Sequence, residues 1–241
     1  MTLSAEWHEF SRWADELGAP LTPHQLSQFA QYQAQLLEWN ERMNLTAVRQ
    51  PADIRVRHFL DSLSCARVMG ELNGRSLIDV GSGAGFPGLP LKILFPQLKL
   101  TLVESVAKKG QFLQAVVDAL ALDNVTVLAE RAEMLGQLPQ HRQQYDWAVA
   151  RAVAELRVLV EYLLPLCRVG GKMLAQKGAG VHEEMENAGE AIKLLGGAAP
   201  ELGQVTLPER EQPHYFVVVH KLGDTPAKYP RRVGVPGKRP L

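Results

Sequence analysis

The first seventy residues carry apolar side chains at helical spacing. Trp7, Phe10 and Trp13 recur every three residues, which predicts an amphipathic helix. The run Thr22–Gln25 has the form of a capping box, with a threonine N-cap, a proline at the first helical position and a glutamine three residues after the cap. A longer apolar stripe follows it. Residues 1–72 are therefore expected to form an N-terminal helical cap.

Beyond residue 73, short apolar runs alternate with helical patterns. Strands are predicted at 76–81, 98–104, 125–129, 145–150, 172–176, 205–207 and 215–220. Helices are predicted at 88–95, 107–122, 155–167 and 183–195. This alternation indicates a parallel sheet with right-handed crossovers, and the last two strands, with no helix between them, predict an antiparallel hairpin at one edge. We expect residues 73–241 to form one α/β domain around a seven-stranded, Rossmann-like sheet.

The composition is that of a globular protein. The chain has 241 residues, of which 46% are hydrophobic, enough for one substantial domain and a smaller appendage. No apolar run approaches the length of a membrane span, and no basic segment followed by an apolar core opens the sequence. Cys65 and Cys167 lie far apart without metal-ligand spacing, which indicates reduced thiols. These features predict a soluble cytoplasmic protein without a metal site.

The charge is balanced overall but uneven along the chain. Lysine plus arginine and aspartate plus glutamate both number 26, so the formal net charge is zero. Residues 42–58 nevertheless carry four arginines and a histidine against one acid, and the tail 222–241 carries five basic residues against one acid. Two basic stretches on a neutral protein suggest local contacts with an anionic partner. A solvated face and a solubilising tail explain the charges equally well.

The segment 77–88 predicts a cofactor site. Its apolar beginning reads as a buried strand, which ends at three alternate glycines, Gly81, Gly83 and Gly85, before a helical pattern. Glycine allows a tight turn and a close approach of the backbone to a ligand. The segment therefore predicts the first strand–loop–helix unit of a nucleotide-type cofactor site.

Two cofactors fit the glycine loop. The run 83–88 satisfies the pattern G-x-G-x-x-G, and Glu104 follows about twenty residues later, as in dinucleotide-binding folds. Three features favour S-adenosylmethionine over a nicotinamide cofactor: Asp79 two residues before Gly81, the predicted terminal hairpin, and the lack of a second domain for a reducible substrate. Glu104 would accept both ribose hydroxyls. Alternatively, Glu104 pairs with Lys108 or Lys109, and Asp79 acts as a cap or loop brace.

If the chain transfers a methyl group, the possible acceptor atoms can be reduced by elimination. Methyl transfer is an in-line displacement, so an enzyme mainly positions donor and acceptor. The predicted fourth strand, 146–151, lacks the Asn/Asp-Pro-Pro-aromatic motif of amino-methylating enzymes, and no cysteine lies there for attack on a pyrimidine. The remaining acceptors include guanine N7, which has a lone pair and no proton to remove.

Several motifs resemble one family in order from about residue 30 to the end. They are Asn40–Arg49, Arg57–Leu63, the glycine loop, Arg151-Ala152, Gln176–Gly178 and the tail Tyr229–Leu241. Together they are similar to the bacterial RsmG (GidB) family of small-subunit ribosomal RNA guanine-N7 methyltransferases. The chain departs from the family in a longer stretch over 136–144, and residues 7–20 have no clear counterpart.

The resemblance implies S-adenosylmethionine-dependent methylation of guanine 527, in the 530 loop of 16S rRNA, within the small ribosomal subunit or its precursor. It implies cofactor contacts at Gly81, Gly83, Gly85, Phe86, Glu104, Ala132, Glu133 and Arg151. Arg151 would also position the reactants, with no obligatory general base. Its alternative role is an ion pair with Asp146 or Glu155.

The residues expected to contact rRNA are basic or polar and lie outside the glycine loop. They are Asn44, Arg49, Arg57, His58, Lys177, Arg231, Arg232, Lys238 and Arg239. A lone histidine such as His58 is otherwise more often structural. Two other functions stay open at this point: a nicotinamide-dependent oxidoreductase, and an assembly factor that binds rRNA without chemistry.

Overall fold

The computed structural model describes residues 4–210 and 212–241. The N-terminal part consists of two long helices, α1 (Ala5–Glu16) and α2 (Pro23–Asn40), followed by shorter helical segments. These are α3 (Pro51–Ile54), a π-helical turn (Arg55–Leu60), α4 (Asp61–Leu63) and α5 (Ala66–Met69). The predicted capping box is confirmed: Gln25 donates its backbone N–H to Thr22 Oγ1, and its side chain accepts the N–H of Thr22 at 2.8 Å.

The rest of the described chain forms a seven-stranded sheet with helices on both faces. The strands are β1 (Ser76–Val80), β2 (Lys99–Val103), β3 (Val125–Leu128), β4 (Tyr145–Arg151), β5 (Cys167–Lys177), β6 (Glu201–Val205) and β7 (His214–His220). The helices are α6 (Gly88–Leu94), α7 (Ala107–Ala119), α8 (Ala132–Leu135), α9 (Leu156–Leu163), α10 (Val181–Leu194) and α11 (Val235–Lys238).

The strand order is β3-β2-β1-β4-β5-β7-β6. The first five strands are parallel, while β7 runs antiparallel between β5 and β6. The Rossmann-like sheet and its terminal antiparallel hairpin are thus confirmed. Two strands differ from the prediction. β6 ends at Val205, where the predicted strand begins, because residues 201–205 pair with β7 at the exposed edge of the sheet. β5 begins at Cys167, at the end of the predicted helix 155–167, because Cys167 pairs with Tyr145 of β4.

The two faces of the sheet are covered by different helices. Along β1, Leu77 packs into a core with α1, α2, α6 and α7, whereas Ile78 packs into a second core with α9 and α10. Phe10 and Phe59 of the N-terminal helices belong to the first core. The N-terminal helices and the sheet therefore share one core, although the division at residue 73 stays a prediction. None of the described helices is long and apolar enough to cross a membrane.

Candidate functional site

The glycine loop joins β1 to α6 at the carboxyl end of the sheet. Gly81, Gly83 and Gly85 all have positive φ angles, of 71°, 58° and 97°. L-residues with a Cβ rarely adopt this conformation, so the loop requires glycine. A Cβ on Gly85 would also lie 2.6 Å from the hydroxyl of Tyr32, a buried residue of α2 that donates a hydrogen bond to the carbonyl of Ala84. The N-terminal cap therefore contacts the glycine loop and stabilises its conformation through Tyr32.

Two carboxylates accept hydrogen bonds from backbone amides around this loop. Asp79 Oδ2 accepts the N–H of Gly88, the first residue of α6, at 2.9 Å. Glu104 accepts the N–H groups of Gly83 at 3.1 Å and Val106 at 2.8 Å, and within the described residues it forms no ion pair with a lysine. A dinucleotide pyrophosphate needs such amides to be free. The loop therefore suits a cofactor without phosphates.

Asp79 is fully buried, and one of its oxygens, Oδ1, has no hydrogen-bond partner among the described residues. Burial raises its pKa from 3.8 to about 7, against the opposing effect of the bond from Gly88. Below that pH the buried carboxyl of Asp79 is neutral, so it does not need a cation to balance its charge. Asp79 thus acts as the cap and loop brace that the sequence offered as its alternative role.

This burial predicts a pH-dependent stability. Between pH 4 and pH 7 the unfolded chain ionises Asp79 while the folded chain keeps it protonated, so stability falls as pH rises. Asp79→Asn keeps an acceptor for Gly88 and removes the titration. We expect the variant to gain stability relative to the wild type between pH 5 and pH 8, by about 3 kcal/mol at most. Urea denaturation of the wild type and the variant at pH 5 and pH 8 measures their free energies of unfolding. If the two proteins differ by the same amount at both pH values, the raised pKa of Asp79 is contradicted.

Three adjoining cavities lie along the carboxyl ends of the strands. Cavity A, of about 300 Å³, is lined by residues that include Gly81, Ala132, Glu133, Val153 and Gly237. Cavity B, of about 340 Å³, is lined by residues that include Gly81, Gly83, Phe86, Glu104 and Arg151. Cavity C, of about 470 Å³, is lined by residues that include Arg57, Asp61, Arg151, Lys177 and His214. The crevice therefore contains all the predicted cofactor residues except Gly85, which lies behind the loop.

Shared walls connect the three cavities. Gly81 and Val153 line both cavity A and cavity B, and a Cβ on Gly81 would lie 2.7 Å from a methyl group of Val153. His58, Arg151 and Ala152 line both cavity B and cavity C. An elongated ligand can therefore cross Gly81 and place one end against the Arg151 wall. A second molecule in cavity C would meet it there.

Arg151 links the sheet to the N-terminal part of the chain. Its Nη1 lies 2.8 Å from Asp61 Oδ2, and its guanidinium lies over the ring of Phe86, 4.8 Å from the centroid. The partner is thus Asp61, and neither Asp146 nor Glu155. Asp146 instead pairs with Arg168 at 2.8 Å. A buried carboxylate and an aromatic ring fix the orientation of Arg151 at the crevice.

His58 is part of the same packed group. It stacks on Phe86 with ring centroids 4.6 Å apart, its Nε2 lies 2.7 Å from the hydroxyl of Thr46, and Arg151 Nη2 lies 3.2 Å from its Nδ1. Burial and then the charge of Arg151 lower the pKa of His58 to about 4. The imidazole is therefore neutral and adds no cation for a phosphate.

The other predicted RNA contacts divide into two groups. Those with exposed side chains are Asn44, Arg49, Arg57, Arg232, Lys238 and Arg239. Lys177 and Arg231 instead make internal ion pairs. Lys177 Nζ lies 2.6 Å from both Glu184 and the carbonyl of Ala154. The sequence could not separate the groups, because charge alone does not show which side chains have protein partners.

The C-terminal tail forms one wall of cavity A. Arg231 makes a bidentate bond to Glu161, whose side chain is fully buried, and this pairing raises the pKa of Arg231. Gly234 donates its N–H to Glu133 at 2.9 Å, and Gly237 lines the cavity. Glu133, predicted only as a cofactor contact, thus also anchors the tail.

Comparisons with known proteins identify the family of the chain. Residues 25–212 match the family described as rRNA small subunit methyltransferase G. A ribosomal RNA small subunit methyltransferase G of Roseiflexus castenholzii is 53% identical, over 97% of this chain and 99% of that protein. Another, of Alkaliphilus metalliredigens, is 49% identical over 94% and 95%. The chain belongs to the rRNA small subunit methyltransferase G family. The predicted family is confirmed, and the chain is a methyltransferase rather than a nicotinamide-dependent oxidoreductase.

Solved structures with low sequence identity share the fold alone. The tRNA (m1A58) methyltransferase TrmI of Aquifex aeolicus superposes with a TM-score of 0.52 at 14% identity, covering 68% of each chain. A precorrin-6y C5,15-methyltransferase of Geobacter metallireducens gives 0.51 at 14% identity, covering 67% of this chain and 87% of that chain. Both are methyltransferases, as is expected for this sheet topology.

Two features of the site lay beyond the sequence analysis. Asp61 belongs to the motif Arg57–Leu63, which is part of the family resemblance, but nothing in the sequence indicated that it pairs with Arg151. His214 was not predicted as a site residue, yet its Nδ1 lies 2.5 Å from Asp61 Oδ1. Within the described residues, no cluster of His, Cys, Asp and Glu could hold a metal ion.

Proposed function

We propose that this methyltransferase transfers a methyl group from S-adenosylmethionine to N7 of a guanine in 16S rRNA, in the small ribosomal subunit or its precursor, in the cytoplasm. The observation that carries the proposal is the glycine loop braced by Asp79 and Glu104, opening onto cavities A and B. The two relatives reported above, each named for small-subunit rRNA, support the choice of substrate.

The residues around Gly81 fit the cofactor. Glu104 lies at the carboxyl end of β2 with its carboxylate at the loop, where it can exchange a backbone amide for ribose hydroxyls. Ala132 and Glu133 line cavity A beyond Gly81, which leaves room there for a nucleobase. When bound, the cofactor supplies an electrophilic methyl group on a positively charged sulfur.

The chain's own task is orientation. Guanine N7 attacks with a lone pair and loses no proton, so the step needs no general base. Arg151, held by Asp61 and Phe86, forms the wall between cavities B and C, where donor and acceptor would meet. Packing of this wall against the reactants would exclude water and hold the base in line with the methyl group.

The experiment that tests the function is methyl transfer to small-subunit rRNA. The purified chain is incubated with isotope-labelled S-adenosylmethionine and with naked 16S rRNA, a precursor particle or the finished subunit. Nuclease mass mapping then locates the label. Label in 7-methylguanine in the 530 loop supports the proposal, whereas label in another base or on an exocyclic amine overturns it. RNA binding without any transfer would instead indicate an assembly factor.

The exposed part of the tail is expected to contribute to RNA binding. Replacing Arg232, Lys238 and Arg239 together with glutamate should weaken rRNA binding and flatten its salt dependence, since each lost phosphate contact removes about 0.7–0.9 from the slope. Cofactor affinity should not change. Filter binding at several salt concentrations measures the slope.

The matched control reverses three exposed basic residues on the side of the domain where the strands β1 and β2 begin, away from the crevice: Arg75, Lys99 and Lys193. It changes the net charge by the same amount. Equal slopes for both triple variants would mean that the tail acts only through overall charge. Arg231 is left intact, because its reversal would place two carboxylates together at the buried Glu161 and disturb the tail itself.

A further inference from the structure

Cavity C adjoins the Arg151 wall and has no role in the proposed cofactor site. Its lining comes from the π-helical turn, the start of α4, the ends of β4 and β5, α10 and the start of β7. At about 470 Å³ it can hold a purine base, and it meets cavity B along His58, Arg151 and Ala152. If the acceptor base enters cavity C, its reactive edge faces that shared wall and its opposite edge faces the remaining lining.

Asp61 organises this remaining lining. Its side chain is 4% exposed, and each carboxylate oxygen has a separate partner: Arg151 on Oδ2 and His214 Nδ1 on Oδ1. Burial alone would raise the pKa of Asp61, but the bonds from His214 and Arg151 outweigh it and lower the pKa. The carboxylate is therefore charged, and it accepts the Nδ1–H of His214.

This bond determines what His214 presents to the cavity. In the neutral form of the imidazole the proton lies on Nδ1, toward Asp61, and the lone pair lies on Nε2. The His214 side chain is 26% exposed, lines cavity C, and makes no hydrogen bond through Nε2 to any described residue. The cavity thus offers a hydrogen-bond acceptor of fixed direction.

Gln176 also lines cavity C, but its side chain is used internally. It donates its amide Nε2 to the backbone carbonyl of Asp61 at 3.1 Å, and its Oε1 is buried without a partner within the described part of the chain. The acceptor that a base in the cavity can reach is therefore Nε2 of His214. Guanine presents a donor, N1–H, on its Watson–Crick edge, whereas adenine presents an acceptor at N1. The His214 acceptor therefore matches guanine.

We propose that His214, held by Asp61, accepts the N1–H of the target guanine in cavity C. The inference rests on the proposed guanine N7 methylation and extends it to recognition of the base. As N7 uses its lone pair to bond the methyl carbon, the electron pair of the carbon–sulfur bond passes to sulfur, and one positive charge moves to the purine. N1–H then becomes a stronger donor, so its bond to Nε2 is stronger in the transition state than in the ground state.

The test combines a variant with a base analogue. His214→Ala is compared with the wild type on a 16S rRNA fragment that carries guanine or 2-aminopurine at the target position. The analogue keeps N7 and the 2-amino group but lacks both N1–H and the O6 carbonyl, so the contact with His214 is identified by the coupling between the two changes rather than by the analogue alone. We expect the variant to lower kcat on guanine by about 10- to 100-fold, the analogue to lower the wild-type kcat similarly, and the two changes together to cost little more than either alone. Cofactor affinity should be unchanged.

The controls separate a contact with the base from a structural effect. His220→Ala, on the same strand β7 but outside the cavities, should leave both rates unchanged. His214→Gln offers an amide oxygen and should recover part of the activity. Asp61 is a positioning residue, so Asp61→Asn should also narrow the difference between guanine and 2-aminopurine, which a general loss of stability would not do.

Two failures are distinguishable. If the wild-type protein forms no 7-methylguanine, the proposed function fails. If it does, but the effects of His214→Ala and of 2-aminopurine multiply, or His214→Ala keeps full activity, only the contact between His214 and N1–H is refuted.

Discussion

A Gly81→Val variant is expected to bind S-adenosylmethionine at least about 100-fold more weakly than the wild type, and to lose methyl transfer with it. Gly81 lies between cavities A and B with a φ of 71°, and a Cβ there would approach Val153 to 2.7 Å. Two further methyl groups would fill the passage between the cavities. Isothermal titration calorimetry measures the loss.

The control for this variant is Gly74→Val. Gly74 has nearly the same backbone conformation, with a φ of 77°, but a Cβ there meets no atom within 4 Å. It should therefore be destabilised by the same backbone strain and still bind the cofactor. An unchanged cofactor affinity in Gly81→Val, or an equal loss in both variants, would show that the cofactor does not cross Gly81.

An Arg151→Ala variant is expected to lose about 3 kcal/mol in the free energy of unfolding and about 100-fold in the rate of methyl transfer. The substitution leaves the Asp61 carboxylate, whose side chain is 4% exposed, with His214 as its remaining side-chain partner. It also removes the guanidinium from the ring of Phe86 and opens the wall between cavities B and C. Urea denaturation and single-turnover methyl transfer measure the two effects.

Arg168→Ala provides the matched comparison. Its ion pair with Asp146 has the same distance of 2.8 Å, but the arginine side chain is 44% exposed. Exposed pairs contribute less than about 1 kcal/mol, and this pair lies away from the crevice. Similar losses of stability in the two variants would mean that the Arg151 pair is no more important than a surface contact. Normal methyl transfer by Arg151→Ala would remove Arg151 from the proposed site.

Much of the fold could be predicted because it is encoded locally. The capping box at Thr22 and Gln25 involves residues three apart, and the predicted helix begins where they place it. The central parallel strands are buried on both faces, so they read as apolar runs such as 147–150. The strand β6, which was misplaced, lies at the edge of the sheet with mostly exposed residues of mixed polarity, and its sequence therefore lacks that signal.

The candidate site was only partly predictable. The glycines and Glu104 could be proposed as cofactor residues because they follow successive strands at a recognisable spacing. The internal ion pairs of Lys177 and Arg231 could not be predicted from the sequence. Both residues were counted as cations available to RNA, whereas Glu184 and Glu161 bind them internally. Whether a charged side chain is available depends on its neighbours in space, and these come from distant parts of the chain.

The sequence by itself determined the order of helices and strands, the position of the glycine loop and the family, because each depends on residue types at short spacing. Only the tertiary structure decided that Asp61, Arg151 and His214 form one cluster beside the crevice, and that the tail closes cavity A. Residues 61 and 214 are 153 positions apart along the chain. The insertion of β7 beside β5 brings them together, and no local pattern specifies which side chains such a topology places in contact.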